Sequence, residues 1–213
     1  MPLLAAARAA TQKKSLHASE RDTPRVQRLR ARWRQARRYW DARRLVFVDE
    51  TGVNLALTRT HGRAPRGVRV VGAVPQNYGQ TLTVLAALDH RGIRAVLLIE
   101  GATDGEVFRH FVQRVLLPTL RCGDTVVWDN LSAHKGADMS EMLAVAGITQ
   151  HYLPPYSPDY NPIEQAWSKI KTQLRAAGAR TRRRLRRALK QALSQITKGD
   201  AAAWFAHCGY PLH

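Results

Sequence analysis

The feature that most constrains this chain is the run Tyr152-Leu153-Pro154-Pro155-Tyr156-Ser157-Pro158-Asp159-Tyr160-Asn161-Pro162-Ile163-Glu164-Gln165-Ala166-Trp167. Proline fixes φ and has no backbone donor, so Pro154, Pro155 and Pro158 hold an extended loop that a sheet interior cannot accept. Asn161 is placed to cap a helix whose first residue is Pro162, where a missing N–H costs nothing. Glu164 then falls in the first helical turn, aimed by a stiff approach. Asn-x-x-Glu also matches a capping box, in which the glutamate only bonds back to the cap residue. Both readings of Glu164 stay open from this stretch alone.

Two upstream runs share a pattern. Val46-Phe47-Val48-Asp49 and Val126-Val127-Trp128-Asp129 are each short, apolar and closed by an aspartate. Runs of this length read as buried strands, which sets Asp49 and Asp129 at strand ends. Three carboxylates from separate elements, without a lysine or arginine partner inside each motif, suit a hard cation. Magnesium takes oxygen ligands and is held by one or two carboxylates plus substrate phosphate. Two such ions about 3.5–4 Å apart clamp the attacking and leaving oxygens of a phosphodiester.

The remaining pattern predicts a first helix over 24–42, with Val26, Leu29, Trp33, Ala36 and Trp40 as its apolar stripe. Strands are expected at Leu45–Asp49, Asn54–Arg59, Val68–Ala73, Thr81–Leu88 and Ile93–Ile99, the last two joined by a hairpin turn at Asp89-His90-Arg91-Gly92. A helix from Thr103 or Asp104 to about Leu117 precedes the strand Thr125–Asp129. A helix at Ala137–Ala146 and a strand at Ile148–Leu153 lead to the proline loop. The helix carrying Glu164 ends at Gly178, another follows from Arg182, and Ala202–Tyr210 forms a short last one. Opening strands followed by alternating helix and strand make an α/β layered domain.

Charge bears on the partner. The 213 residues carry a formal charge of +18, which points to a polyanion, most simply nucleic acid. The arginines between Arg25 and Arg38 are candidate phosphate contacts, and Arg182, Arg183, Arg184, Arg186, Arg187 and Lys190 face away from a row of Leu185, Leu189, Leu193 and Ile196. Lys171 lies two turns beyond Glu164 on the same face, either beside the site or as a plain surface lysine. Trp167 reads as core. Cys122 and Cys208 show no metal spacing and suit a reducing cytosol. No apolar run approaches the ~20 residues of a membrane helix. There is no glycine-rich phosphate loop, Ser-His-Asp spacing or zinc pattern. His134, five residues after Asp129, is the one histidine to single out, as a site residue or an ordinary polar loop residue.

Asp-Glu-Thr-Gly at 49–52, Trp-Asp-Asn-Leu-Ser-Ala-His-Lys at 128–135 and the Pro-Pro-Tyr-Ser-Pro-Asp-Tyr-Asn-Pro-Ile-Glu run, with 34 residues between Asp129 and Glu164, resemble the catalytic domain of DDE transposases. The nearest likeness is to the mariner superfamily in its bacterial insertion-sequence branch. The resemblance implies a ribonuclease-H-like, retroviral-integrase-like mixed sheet flanked by helices. It implies that Asp49, Asp129 and Glu164 are catalytic metal ligands for two Mg²⁺ ions, Mn²⁺ substituting, with Asp49 bridging. It implies cut-and-paste cleavage and strand transfer on double-stranded DNA, at transposon ends and a TA target, by a homodimer on DNA. Lys171, Arg182, Arg183, Arg186, Arg187, Arg63 and His134 are the candidate DNA contacts. Residues 1–22 are expected to be a linker and 23–213 the catalytic domain. The N-terminal helix-turn-helix domain of relatives is expected to be missing here, and a second frame joined by frameshifting, a separate helix-turn-helix subunit and a decayed remnant all stay open. A location at the bacterial nucleoid and no membrane are expected. Two alternatives remain: a catalytically impaired DNA-binding remnant or repressor, and a nuclease acting on a hybrid or junction.

Overall fold

Leu45, Val46, Phe47 and Val48 are apolar without alternation, so a strand built from them needs cover on both faces. All four are buried to 1% exposure or less in the computed structural model, which describes residues 16–129 and 137–212. They open the central strand β1, Leu45–Val53. The other strands are β2 (Leu82–Asp89), β3 (Gly92–Glu100), β4 (Thr125–Trp128) and β5 (Thr149–Tyr152). The sheet runs β3-β2-β1-β4-β5, antiparallel across the first three strands and parallel from β1 to β4 and β4 to β5. The fold is the expected ribonuclease-H-like mixed sheet.

Alternation along β1 assigns the two faces. Leu45, Phe47 and Val53 pack with the helices α4 (Ile163–Ala177), α5 (Arg182–Ser194) and α6 (Lys198–His207). Trp33 of α1 (Pro24–Ala36) joins that layer. Val46 and Val48 face the other layer, with Phe108 of α2 (Gly105–His110), the π-helical turn Phe111–Leu116 that continues it, and Leu143 of α3 (Ala137–Val145). Trp128, large for a strand residue beside an acidic centre, is fully buried on this second face, 5.8 Å from the Phe108 ring and 6.1 Å from Tyr152.

Two expected strands do not form. Asn54–Arg59 and Val68–Ala73 lie in an irregular stretch between β1 and β2. The β-branched valines there meet no partner strand: Val68, Val70 and Val71 are 60%, 51% and 87% exposed. Pro65 and Pro75, with Gly67, Gly72 and Gly79, break any ladder. The Arg180 guanidinium, just past α4, donates to the carbonyls of Leu55 (3.1 Å) and Leu57 (3.0 Å) and so fixes the start of this stretch. The first helix also ends earlier than expected, at Ala36, and α6 begins earlier, where Thr197 and Asp200 form a capping box.

The proline loop is clamped by α1. Arg30, 3% exposed, donates from Nη1 to Ser157 Oγ (2.6 Å) and Asp159 Oδ1 (3.0 Å), and from Nη2 to Asp159 Oδ2 (2.7 Å). Its guanidinium also lies 4.3 Å over the Tyr160 ring. Tyr156 takes a left-handed backbone (φ 54°), a conformation the clamp must impose on a residue with a Cβ. Arg30 is therefore structural, not a phosphate contact. Arg34 donates to Tyr160 Oη and Arg37 to the Cys208 carbonyl, while Arg25, Arg28, Arg32 and Arg38 stay exposed.

Burial pushes the Asp159 carboxyl up, but the Arg30 hydrogen bond and the Arg30 and Arg21 charges outweigh it, and the group titrates below its ordinary value. A carboxylate held down in this way stabilises the fold above its unfolded pKa of about 4 and loses that contribution as pH falls through its folded value. Asp159→Ala leaves a buried guanidinium without its carboxylate; because Asp159 is itself 38% exposed, the cost at pH 7 is expected at about 2 kcal/mol, below the ~3–5 kcal/mol of a fully buried pair. Urea unfolding at pH 7 and pH 3 checks this, with the smaller difference at pH 3.

Candidate active site

Asp49 lies where the apolar half of β1 ends, on the face turned to α4. The parallel register pairs Leu45 with Thr125, Val46 with Val126 and Phe47 with Val127. Carried two residues further, the same register sets Asp49 level with Asp129 on the neighbouring chain segment. Residues of equal parity share a face of a strand, so Asp49 turns with Phe47 toward α4, while Asp129 directly follows the last residue of β4. Glu164, the second residue of α4, comes from the opposite side.

The three carboxyls act on one another electrostatically. The Asp49 carboxyl is pushed up to about 7, first by desolvation, then by the negative charge of Glu164, with a smaller push from Asp129. Hydrogen bonds from the Glu50 N–H and the Trp167 indole oppose the rise. Glu164 is also raised, by desolvation first and by Asp129, against the pull of Lys171. Glu164 and Asp129 thus act on Asp49, and Asp129 and Lys171 act on Glu164. Among the described residues, however, no three His, Cys, Asp or Glu side chains stand close enough together to hold a cation.

Asp49 is the best-anchored member. The Glu50 backbone N–H donates to Oδ1 (2.8 Å), and Trp167 Nε1 (3.1 Å) and Asn161 Nδ2 (3.4 Å) both donate to Oδ2. A carboxylate accepts about four hydrogen bonds, so roughly one lone pair remains free. Sequence reading placed Trp167 in the core and Asn161 at a cap. Trp167 is indeed buried, at 3% exposure, but its N–H serves Asp49. A buried indole needs a partner for its N–H, and three residues past Glu164 on one helix face is the spacing that signals where to look. Asn161 makes no side-chain cap, and no capping box forms with Glu164. The Asn161 carbonyl instead accepts from the Glu164 N–H (3.1 Å), leaving both side chains for the site.

The outlying candidates separate. Arg182 and Arg186 each pair with Glu100 at 2.8 Å, so part of their charge is already answered. Arg183, Arg187 and Arg63 are exposed. His134 lies outside the described residues.

With this geometry in place, comparison with known proteins is informative. Residues 44–186, more than half of the chain, match the DDE superfamily endonuclease family. The chain belongs to that family. No sequence among the curated proteins matches it. Solved structures share its fold. The Mos1 transposase paired-end complex with left transposon end superposes with a TM-score of 0.78 at 14% identity, covering 96% of this chain and 64% of that one. The Mos1 catalytic domain with Raltegravir and Mg gives 0.66 at 14% identity, covering 92% of each chain. The catalytic domain of Mos1 mariner transposase gives 0.59 at 13% identity, covering 93% of each. The chain therefore spans a little under two thirds of the Mos1 chain in the paired-end complex.

In the metal-free protein the raised Asp49 pKa costs stability. The folded state keeps its proton between about pH 4 and 7 while the unfolded state does not, so this contribution falls as pH rises through that window. Asp49→Asn removes the penalty. The melting temperature of the variant minus that of the parent, in EDTA, is expected to grow from pH 5 to pH 8, toward a few kcal/mol of added stability. The depressed pKa values of His90 and His151 act in the opposite sense but cancel in this difference.

Proposed function

We propose that this DDE family endonuclease is the catalytic part of an insertion-sequence transposase of the mariner superfamily. It cleaves DNA strands at transposon ends and transfers them to a target, with Asp49, Asp129 and Glu164 as ligands for two Mg²⁺ or Mn²⁺ ions. The observation that carries this is a buried Asp49 on the α4 face of the sheet, held by Trp167, Asn161 and the Glu50 N–H, with the charges of Glu164 and Asp129 acting on its carboxyl. The chemistry of the donors agrees: all-oxygen, anionic and partly desolvated, they suit a hard divalent cation. Solved Mos1 complexes with Mg and with Mn share the fold.

Bound divalent ions supply Lewis acidity at the scissile phosphate and activate a water or a 3′-hydroxyl for in-line attack. The chain's own residues prepare the place. Trp167 and the Glu50 N–H fix the Asp49 carboxylate before any cation arrives, so little reorganisation is needed on binding. Glu164 on α4 and Asp129 just past β4 would complete the ligand set with Asp49. Lys171, whose charge already reaches Glu164, sits where a phosphate oxygen beside the ions needs a counter-charge. Hydrolysis breaks the bond between phosphorus and the leaving 3′ oxygen and gives a free 3′-hydroxyl. In strand transfer that hydroxyl attacks a target phosphodiester in turn. By the resemblance, the ends are inverted repeats, the target is a TA step and the working form is a homodimer on DNA.

The exposed face of α5 supports the DNA reading. Arg183, Arg184, Arg187 and Lys190 project from a helix whose apolar row, Leu185 and Leu189, is buried against the sheet. Such a face tracks phosphates and carries affinity without sequence information. Among the described residues no helix is long and apolar enough to cross a membrane.

Two outcomes are expected. Asp49→Asn and Glu164→Gln abolish Mg²⁺-dependent nicking of supercoiled plasmid while DNA affinity in filter binding stays within about threefold. Retained nicking would remove the altered residue from the site. Replacing Arg183 and Arg187 by alanine weakens binding to all sequences alike. It also makes the slope of log K against log salt shallower by about 2, roughly one for each phosphate left without its arginine. Replacing Arg182 and Arg186, already engaged by Glu100, is expected to change the slope less.

A further inference from the structure

Asn161 is 3% exposed, and its Oδ1 is a buried acceptor with no hydrogen-bond partner. A buried amide oxygen left bare is costly, and such an atom in a folded protein calls for a reason. The other half of the same amide is used: Nδ2 donates to Asp49 Oδ2 at 3.4 Å, near the limit for a hydrogen bond. The orientation is chemically the right one without metal, because a carbonyl oxygen set against a carboxylate would only be repelled. It is also the weakest of the bonds on Asp49, Trp167 holding the same oxygen at 3.1 Å and the Glu50 N–H holding Oδ1 at 2.8 Å.

We propose that Asn161 is a fourth protein ligand of the metal site, its amide turning over as a divalent cation enters so that Oδ1 takes the place of Nδ2. The inference rests on the metal-binding reading of Asp49 given above. The turn is a half rotation about the last side-chain bond, a broad and roughly two-fold torsion, and it exchanges two atoms of nearly equal size. The backbone need not move: Asn161 N donates to the Pro158 carbonyl (3.0 Å) and its own carbonyl accepts from Glu164 N (3.1 Å). The distance fits as well. Neighbouring oxygens on one octahedral Mg²⁺ are roughly 3 Å apart, close to the spacing at which the amide already stands from Asp49 Oδ2. One movement releases a lone pair of Asp49 and turns the bare oxygen toward positive charge. Oδ1 is a neutral donor atom, so it adds a ligand without adding to the repulsion among three carboxylates.

NMR of the full chain with ¹³C,¹⁵N-labelled asparagine, titrated with Mg²⁺, reads both the amide and the site. The expected result is a downfield move of the Asn161 Cγ together with an upfield move of its Nδ2 protons, saturating in step with the backbone amides of Asp49 and Glu164. Asn161→Ala is expected to raise the Mg²⁺ dissociation constant about tenfold by calorimetry. Asn161→Asp, which keeps an oxygen in place but no donor, is expected to bind at least as tightly as the parent. If the Asp49 and Glu164 amides respond while the Asn161 Cγ and Nδ2 do not, the proposal fails and the carboxylate site stands. Binding by Asn161→Ala equal to the parent overturns it in the same way. If nothing at Asp49 or Glu164 responds to Mg²⁺, the metal reading itself fails, and this proposal with it. Should the alanine variant not fold, the labelled parent and Asn161→Asp still decide.

Discussion

The fork that Arg30 makes on Asp159 and Ser157 is the contact on which the site depends. Its partners lie in the proline loop, and the loop leads without slack into Asn161, Glu164 and Trp167. A fork of fixed geometry transmits direction as well as energy, because a guanidinium bound at both nitrogens cannot swivel. Tyr160 closes the same unit from below. Its ring lies under Arg30, its hydroxyl accepts from Arg34, and its carbonyl accepts from Tyr210 Oη at 2.9 Å. Tyr210 Oη in turn accepts from Trp33 Nε1 at 2.9 Å. The first helix and Tyr210 therefore meet at the loop that aims the helix carrying Glu164.

Against this rigid frame stand carboxyls that oppose one another. Burial and the charges of their neighbours raise Asp49 and Glu164. Carboxyls raised in this way oppose folding as pH rises. The rest of the molecule offsets that cost through a core filled on both faces of β1 and through the clamp on the proline loop. Natural proteins tolerate local conflict of this kind at sites that act, and pre-organise the conflicting groups with neutral donors. Here the donors are the Trp167 indole, the Asn161 amide and one backbone N–H.

The charge of the chain divides into two kinds of arginine that composition does not distinguish. Arg30, Arg180 and, in part, Arg37 spend their donors on carboxylates and carbonyls inside the fold. Arg183, Arg184 and Arg187 keep theirs for solvent or a partner. On the sequence alone every arginine between Arg25 and Arg38 was an equal candidate for phosphate. Only packing shows that Arg30 faces the proline loop.

Much was legible in the sequence, because the signals were local. The apolar run before Asp129 marked a strand end, three prolines marked a stiff loop, and the helical row of α5 marked its buried side; the run before Asp49 marked a strand but not its end, since pairing with β2 carries β1 on to Val53. The valines of 68–74 misled for the same reason: β propensity is local, but a strand exists only where a partner ladder is free, and none lies beside that stretch. The partners of Asp49 could not be read, since hydrogen bonds across 112 and 118 residues depend on how α4 crosses β1. What the sequence by itself determined was which residues carry negative charge and which apolar runs and helix turn they adjoin. Tertiary structure alone decided that β1 and β4 lie side by side in parallel and that Asn161 and Trp167 donate to Asp49. Register and helix packing are properties of the assembled layers and of no single segment.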